Sequence, residues 1–144
     1  MVEVVQYFTG VIPEAYKKCM DQLRSKIPSD YAYNLITEGT VFDRKESCLL
    51  RLELLKENQN RMWIDCDVMV NEWPNIEDSK PYVYAGNCAA TIMYLPGFDI
   101  QGLIDNFKRQ QRFRRCCHYL FERYNPELRR IPVECFHHLR LGTK

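Results

Sequence analysis

Apolar residues along the chain alternate between short continuous runs and helical stripes. Val2 to Phe8 is a mostly apolar run rich in β-branched residues, which predicts a buried strand ended by Thr9-Gly10. Pro13 suits the first turn of a helix, and Ala15, Tyr16, Cys19, Met20, Leu23 and Ile27 follow at helical spacing until Pro28 stops the pattern. Tyr31 to Ile36 predicts a second strand. Strand, helix, strand is the usual opening of an α/β protein with a mostly parallel sheet flanked by helices.

The pattern continues in the same style. Asp43 and Glu46 form a capping box for a helix running to about Asn58. Arg61 to Val70 predicts the next strand, with Met62-Trp63-Ile64 as its buried part, and the polar stretch Asn71 to Lys80 predicts a loop. Tyr82 to Leu95 predicts one or two strands broken near Gly86-Asn87, and Pro96-Gly97 predicts a turn. Asp99 to Tyr124 reads as mostly helical, and Ile131 to Leu141 as a final strand or an extended tail.

Composition narrows the class without choosing a function. The 144 residues fit a single domain spanning 1–144, and 46% hydrophobic with 27% charged residues is the balance of a globular chain. A net charge of +1 gives no overall drive toward nucleic acid or a membrane surface. No apolar run approaches the ~18 residues of a membrane span. Met1 to Val5 shows no basic region followed by an apolar stretch, so a cytoplasmic protein is expected. The seven cysteines are odd in number, irregularly spaced and free of C-x-x-C pairs, which predicts reduced and partly buried thiols. Cys116-Cys117-His118 lacks zinc-ligand spacing.

The most informative stretch is Trp63-Ile64-Asp65-Cys66-Asp67-Val68, where apolar residues run into two acids. Ligands of open α/β sheets bind beyond the carboxyl ends of the strands. Side chains two apart on a strand share a face, so Asp65 and Asp67 are expected to converge. Two converging carboxylates repel unless a cation lies between them. Mg²⁺ or Mn²⁺, bound through carboxylates and phosphate oxygens, meets that need. The alternative is a pair of solvated acids where a strand enters a loop.

The preceding helix adds an arginine. At ~100° per residue, Cys48, Leu50, Leu52, Leu54 and Leu55 define a broad apolar arc, and Arg51 falls inside it with Ser47 one turn earlier. A core-facing arginine needs a partner. Either an acid such as Asp65 or a diphosphate would match its forked donors.

At this point the sequence resembles the DXD-containing glycosyltransferases of family 32 type, a group that includes mannosyltransferases, capsular polysaccharide transferases and clostridial glucosylating toxins. Four segments carry the likeness in order: Val4 to Gly10 with the helix from Ile12 to Cys19; Ser47-Cys48-Leu49-Leu50-Arg51 with Leu54 and Leu55; Trp63 to Val68; and Phe136-His137-His138-Leu139-Arg140-Leu141-Gly142-Thr143. The resemblance implies a compact GT-A-like nucleotide-diphospho-sugar transferase fold and metal-dependent sugar transfer with retention. A UDP-sugar is the favoured donor and a GDP-sugar the other candidate; the acceptor is a carbohydrate or protein.

The same resemblance places Phe8 against the nucleotide base and Arg51 and Ser47 beside the sugar nucleotide. Asp67 becomes the direct metal ligand, Asp65 the contact to the nucleotide sugar and metal-bound water, and His138 a contact to the diphosphate and metal. Asn87 matches an asparagine that faces the donor sugar or the acceptor. An ordinary pair of strand residues is the other reading of His137 and His138. Three departures stand out. Cys48 replaces an aspartate that contacts donor-sugar hydroxyls, Asn60-Arg61 replaces a Gly-Gly turn, and no tryptophan follows Thr143.

Two rival functions remain at the level of sequence. A phosphatase of the haloacid-dehalogenase type also uses an apolar strand followed by D-x-D-x-V, with Asp65 as nucleophile, but it needs a later lysine and acidic pair, for which Glu77 to Lys80 is a poor substitute. The other rival is a non-catalytic module that binds the sugar nucleotide. The basic run Lys108, Arg109, Arg112, Arg114, Arg115 reads as a solvated helix face and not as a nucleic-acid site. The small size is compatible with a homo-oligomer that completes the site.

Overall fold

The computed structural model describes residues 2–39, 43–86, 88–110 and 128–139; of Arg44 the backbone alone is described. Strand β1 (Glu3–Tyr7) is followed by helix α1 (Glu14–Lys26), strand β2 (Ala32–Ile36) and helix α2 (Arg44–Glu57). Strands β3 (Arg61–Ile64), β4 (Val68–Val70), β5 (Tyr82–Tyr84) and β6 (Ile92–Tyr94) come next. Among the described residues, helix α3 (Ile100–Arg109) and strands β7 (Arg129–Ile131) and β8 (Phe136–His138) follow.

Six strands form one sheet in the order β2-β1-β3-β6-β5-β7. The β1–β2, β1–β3 and β5–β7 pairs are parallel, while β6 runs antiparallel to both β3 and β5. The architecture is therefore the α/β sheet flanked by helices that the sequence predicts. Alternation along each strand sorts two apolar layers. Val5, Trp63, Val83 and Met93 pack with α2 and α3, through Leu52, Leu55, Leu103, Ile104 and Phe107. Val4, Met62, Ile64, Ile92 and Tyr94 pack on the other face, with Leu23 of α1 and Val68, Val70 and Phe136 of the small sheet.

Local signals work as expected at the helix starts. The Asp43 side chain accepts from Glu46 N at 2.8 Å and caps α2, and Asp99 accepts from Gly102 N at 3.0 Å and caps α3. Gly97 takes φ +77° in the turn after β6, a left-handed conformation that suits glycine.

One expectation is corrected. Arg61 to Val70 is not a single strand. It ends at Ile64, turns through Cys66-Asp67, and resumes as β4 in a separate two-stranded sheet with β8. The reason is a competition for partners at the break. Asp65 N donates to Thr91 O (2.9 Å), the Cys66 thiol donates to Tyr7 O (3.3 Å), and Leu139 N donates to Asp67 O (2.7 Å). Beyond the turn, the Gln22 side chain of α1 supplies both bonds of a strand neighbour. Its Nε2 donates to Val70 O at 2.5 Å and its Oε1 accepts from Val70 N at 2.8 Å.

The stretch predicted to be helical to Tyr124 is helical to Arg109; residues 111–127, with Cys116, Cys117 and most of the basic run, lie outside the described residues. Among the described residues, Cys19, Cys48, Cys66, Cys88 and Cys135 are thiols outside any disulfide.

Candidate functional site

The two acids meet at the carboxyl end of β3, through the turn and not along a straight strand. Asp65 continues the alternation of β3 and lies on the Trp63 side of the sheet, toward α2. Its Oδ1 accepts from the Trp63 indole N–H at 2.7 Å and lies 3.6 Å from Arg51 Nη2. Asp67, 7% exposed, sits one turn further on and faces β8, where His138 Nε2 is 3.3 Å from its Oδ1. His138 is 6% exposed and pairs in register with Val68, which places its ring beside the turn.

One ligand atom from each of Asp65, Asp67 and His138 lies within 4.8 Å of the others. Among the described residues, this is the group of three or more His, Cys, Asp or Glu side chains that could hold a cation. Two carboxylates and an imidazole fit Mn²⁺ well, whereas Mg²⁺ favours oxygen ligands and retained water.

Arg51 occupies the position that its place in the apolar arc implied. It comes from α2, stacks over Trp63 with its guanidinium carbon 5.3 Å from the ring centroid, and donates from Nη1 to Ala90 O at 3.4 Å. Its side chain and that of Asp65 are each 17% exposed. The structure pairs the arginine with the acid, and this pair opens onto solvent at the strand end.

Electrostatics at the turn follow from burial. Burial pushes the Asp65 carboxyl above the ordinary carboxylate range, Asp67 adds to the rise, and Arg51, the Trp63 N–H and His138 oppose it. Burial likewise pushes the Cys66 thiol up to about 12, with Asp65 next to it as the second cause. Cys66 is therefore a neutral thiol that donates its hydrogen bond to Tyr7 O.

The remaining predicted site residues are spread around this centre. Phe8 follows β1, is half-buried, and stands edge-on to Tyr16 with ring centroids 5.8 Å apart. The Cys66–Tyr7 bond brings that strand end next to the acidic turn. Ser47 is half-buried one helical turn before Arg51. Cys48 is 6% exposed and packs in the apolar cluster with Leu52 and Leu55. Asn87, Arg140 and Thr143 lie outside the described residues.

Sequence reasoning missed three contributors. Trp63 appeared there as a core residue, yet its N–H orients Asp65. Gln6, buried in β1, donates from Nε2 to Asp65 O at 3.1 Å. Tyr33 of β2 donates its hydroxyl to Gln6 Oε1 at 2.6 Å. A signal for Gln6 was present: it is the polar residue inside the apolar run from Val4 to Phe8.

No family model matches the chain, and no curated protein matches it at a significant level. Solved structures do. The chain superposes on a glycosyltransferase involved in the glycosylation of the major capsid of PBCV-1, with a TM-score of 0.69 and 10% identity, over 96% of this chain and 94% of that one. The fold is that of a glycosyltransferase. It is also similar to the glycosyltransferase GlyE of Streptococcus pneumoniae TIGR4, with a TM-score of 0.57 and 11% identity. That match covers 90% of this chain and 45% of GlyE, so the chain spans a little under half the length of that neighbour. The apo form of GlyE gives the same TM-score.

Among the described residues, the acidic cluster around Asp65 is completed by Asp67 and His138, and Glu77 is held by Arg129 at 2.6 Å. No helix of the described residues is long and apolar enough to cross a membrane.

Proposed function

We propose that this chain is a metal-dependent glycosyltransferase that moves a sugar from a nucleoside diphosphate sugar to a carbohydrate or protein acceptor. The observation that carries this reading is the convergence of Asp65, Asp67 and His138 at the end of β3, in a fold shared with glycosyltransferases. The family 32 likeness of the four sequence segments supports the finer description: one domain, retention at the anomeric carbon, and a UDP-sugar in preference to a GDP-sugar.

In this proposal Asp65, Asp67 and His138 hold Mn²⁺ or Mg²⁺. The bound cation supplies Lewis-acid neutralisation of the leaving diphosphate. The chain's own residues do the rest. Trp63 fixes the rotamer of Asp65, so that one carboxylate oxygen is committed to the indole and to Arg51. Arg51, already at the mouth of the site, exchanges part of its contact with Asp65 for the donor phosphate and stabilises charge that grows there during transfer. Phe8 offers an aromatic face to the base, with Tyr16 bracing its ring. Ser47 contacts the sugar nucleotide, and the sequence likeness assigns Asn87 to the donor sugar or the acceptor.

Calorimetric titration tests the reading. Mn²⁺ should raise the affinity for UDP, and Asp67→Ala should abolish that gain. Metal-independent nucleotide affinity, equal in the parent and in Asp67→Ala, would sink the proposal.

A second reading is favoured by Cys48. In place of the family's aspartate this helix position carries a thiol buried among leucines, which offers no carboxylate to a sugar. A chain that binds the donor without transferring or hydrolysing the sugar would be a non-catalytic module. Release of free UDP from a UDP-sugar separates the two readings.

A further inference from the structure

Gln6 breaks the local rule of its strand. It is fully buried (0% exposed) in β1, a strand flanked on both sides by partners, on the face lined by Val4, Met62 and Ile64. A buried amide at such a position is costly unless both of its ends are bonded. Both are. Oε1 accepts from the Tyr33 hydroxyl at 2.6 Å, and Nε2 donates to the main-chain oxygen of Asp65 at 3.1 Å. A methionine would fill a similar volume with no such demand, so packing alone does not call for an amide here.

We propose that Gln6 is a positioning residue for the cation site, and that Tyr33 sets which end of its amide faces Asp65. The inference rests on the reading of Asp65, Asp67 and His138 as a cation site. The chain leaves the sheet immediately after Ile64, and the separation of the two carboxylates depends on how the peptide after Asp65 is turned. Two bonds clamp that residue from opposite sides. Its N–H is held by Thr91 O on the β6 side, and its carbonyl by Gln6 on the β1 side.

A glutamine amide can turn over and exchange its oxygen and nitrogen ends; a fixed hydroxyl donor prevents this. Tyr33 is that donor. Burial raises its pKa above the usual tyrosine value, against the opposing influence of Arg24, so the hydroxyl keeps its proton at neutral pH. Arg24 covers the Tyr33 ring with its guanidinium carbon 4.6 Å from the centroid. The register Val4 to Tyr33 and Gln6 to Leu35 holds β2 against β1 at this level.

Groups that orient metal ligands without touching the ion are worth about 10–100-fold in affinity. The test uses the full chain, Mn²⁺ alone, and binding followed by electron paramagnetic resonance, with the melting temperature recorded with and without Mn²⁺. Gln6→Met should bind Mn²⁺ about tenfold or more weakly. Tyr33→Phe should show a smaller loss, because its amide is retained but free to turn. Leu23→Ala, a core truncation on the same face, should lower the melting temperature and leave Mn²⁺ affinity unchanged, which separates positioning from mere stability. If the parent binds Mn²⁺ and Gln6→Met binds it equally well, the proposal is overturned while the cation site stands. If Gln6→Met does not fold, Tyr33→Phe decides, and unchanged affinity there overturns the proposal. A parent that binds no Mn²⁺ removes the cation site itself and this inference with it.

Discussion

The indole N–H of Trp63 donates to Oδ1 of Asp65 at 2.7 Å, and the same ring lies under the Arg51 guanidinium. One core residue thus orients the acid and seats the arginine that faces it. Trp63→Phe keeps most of the packing but removes the donor. A hydrogen bond to a charged group contributes about 1.5–3 kcal/mol, which corresponds to a fall of roughly 5–10 °C in melting temperature. Thermal unfolding followed by circular dichroism measures it, and a change under about 1 °C would show that the bond contributes little.

His138 supplies the single nitrogen of the proposed donor set. Imidazole adds little for a cation that prefers oxygen and water. His138→Ala is therefore expected to weaken Mn²⁺ binding clearly more than Mg²⁺ binding. Competition between the two ions, read by Mn²⁺ resonance, gives the ratio. Equal losses for both ions would remove His138 from the ligand set.

Arg51 contacts Asp65, Ala90 O and the Trp63 ring at once. A lysine has neither the planar fork nor the stacking surface. Arg51→Lys is expected to behave nearly like Arg51→Met, with UDP affinity in the presence of Mn²⁺ reduced about tenfold. Full rescue by lysine would mean that a point charge suffices.

The Cys66 thiol gives a signed pH prediction. Its folded pKa, about 12, lies above its ordinary value of 9.0. Between those values the folded chain holds a proton that the unfolded chain has released. Stability is therefore present below pH 9 and is lost as pH rises toward the folded value, at about 1.4 kcal/mol per pH unit for this group. Urea unfolding at pH 8 and pH 10 should show a smaller decline in Cys66→Ser than in the parent. Parallel declines would contradict the assignment.

Gln22 tests the second sheet. Gln22→Leu leaves the outward N–H and C=O of Val70 without their side-chain partner. Each lost bond costs about 1–3 kcal/mol if the group stays buried. Hydrogen exchange at Val70 should accelerate while exchange in β1 stays slow. Unchanged protection at Val70 would mean that β8 alone holds β4.

Much of this was legible in the chain. Alternation in Val4-Val5 and Met62-Trp63-Ile64 marked buried strands because successive side chains must face opposite layers. Asp43 and Glu46 marked the start of α2, because orphan amides at a helix start need a local acceptor. The misplaced Arg51 marked the site, because a charge within an apolar arc demands a partner. The sequence by itself thus determined the order of elements, the acidic pair at the end of a strand and the helix that faces it. Only the tertiary structure decided that the strand breaks at Asp65, that His138 returns from the far end of the chain to Asp67, and that Gln6, Tyr33 and Trp63 hold the turn. Those contacts join residues from separate strands or depend on a turn that no periodicity announces. Local patterns report burial, whereas the choice of hydrogen-bond partners at a strand end is settled by whichever distant groups the packed sheet brings within reach.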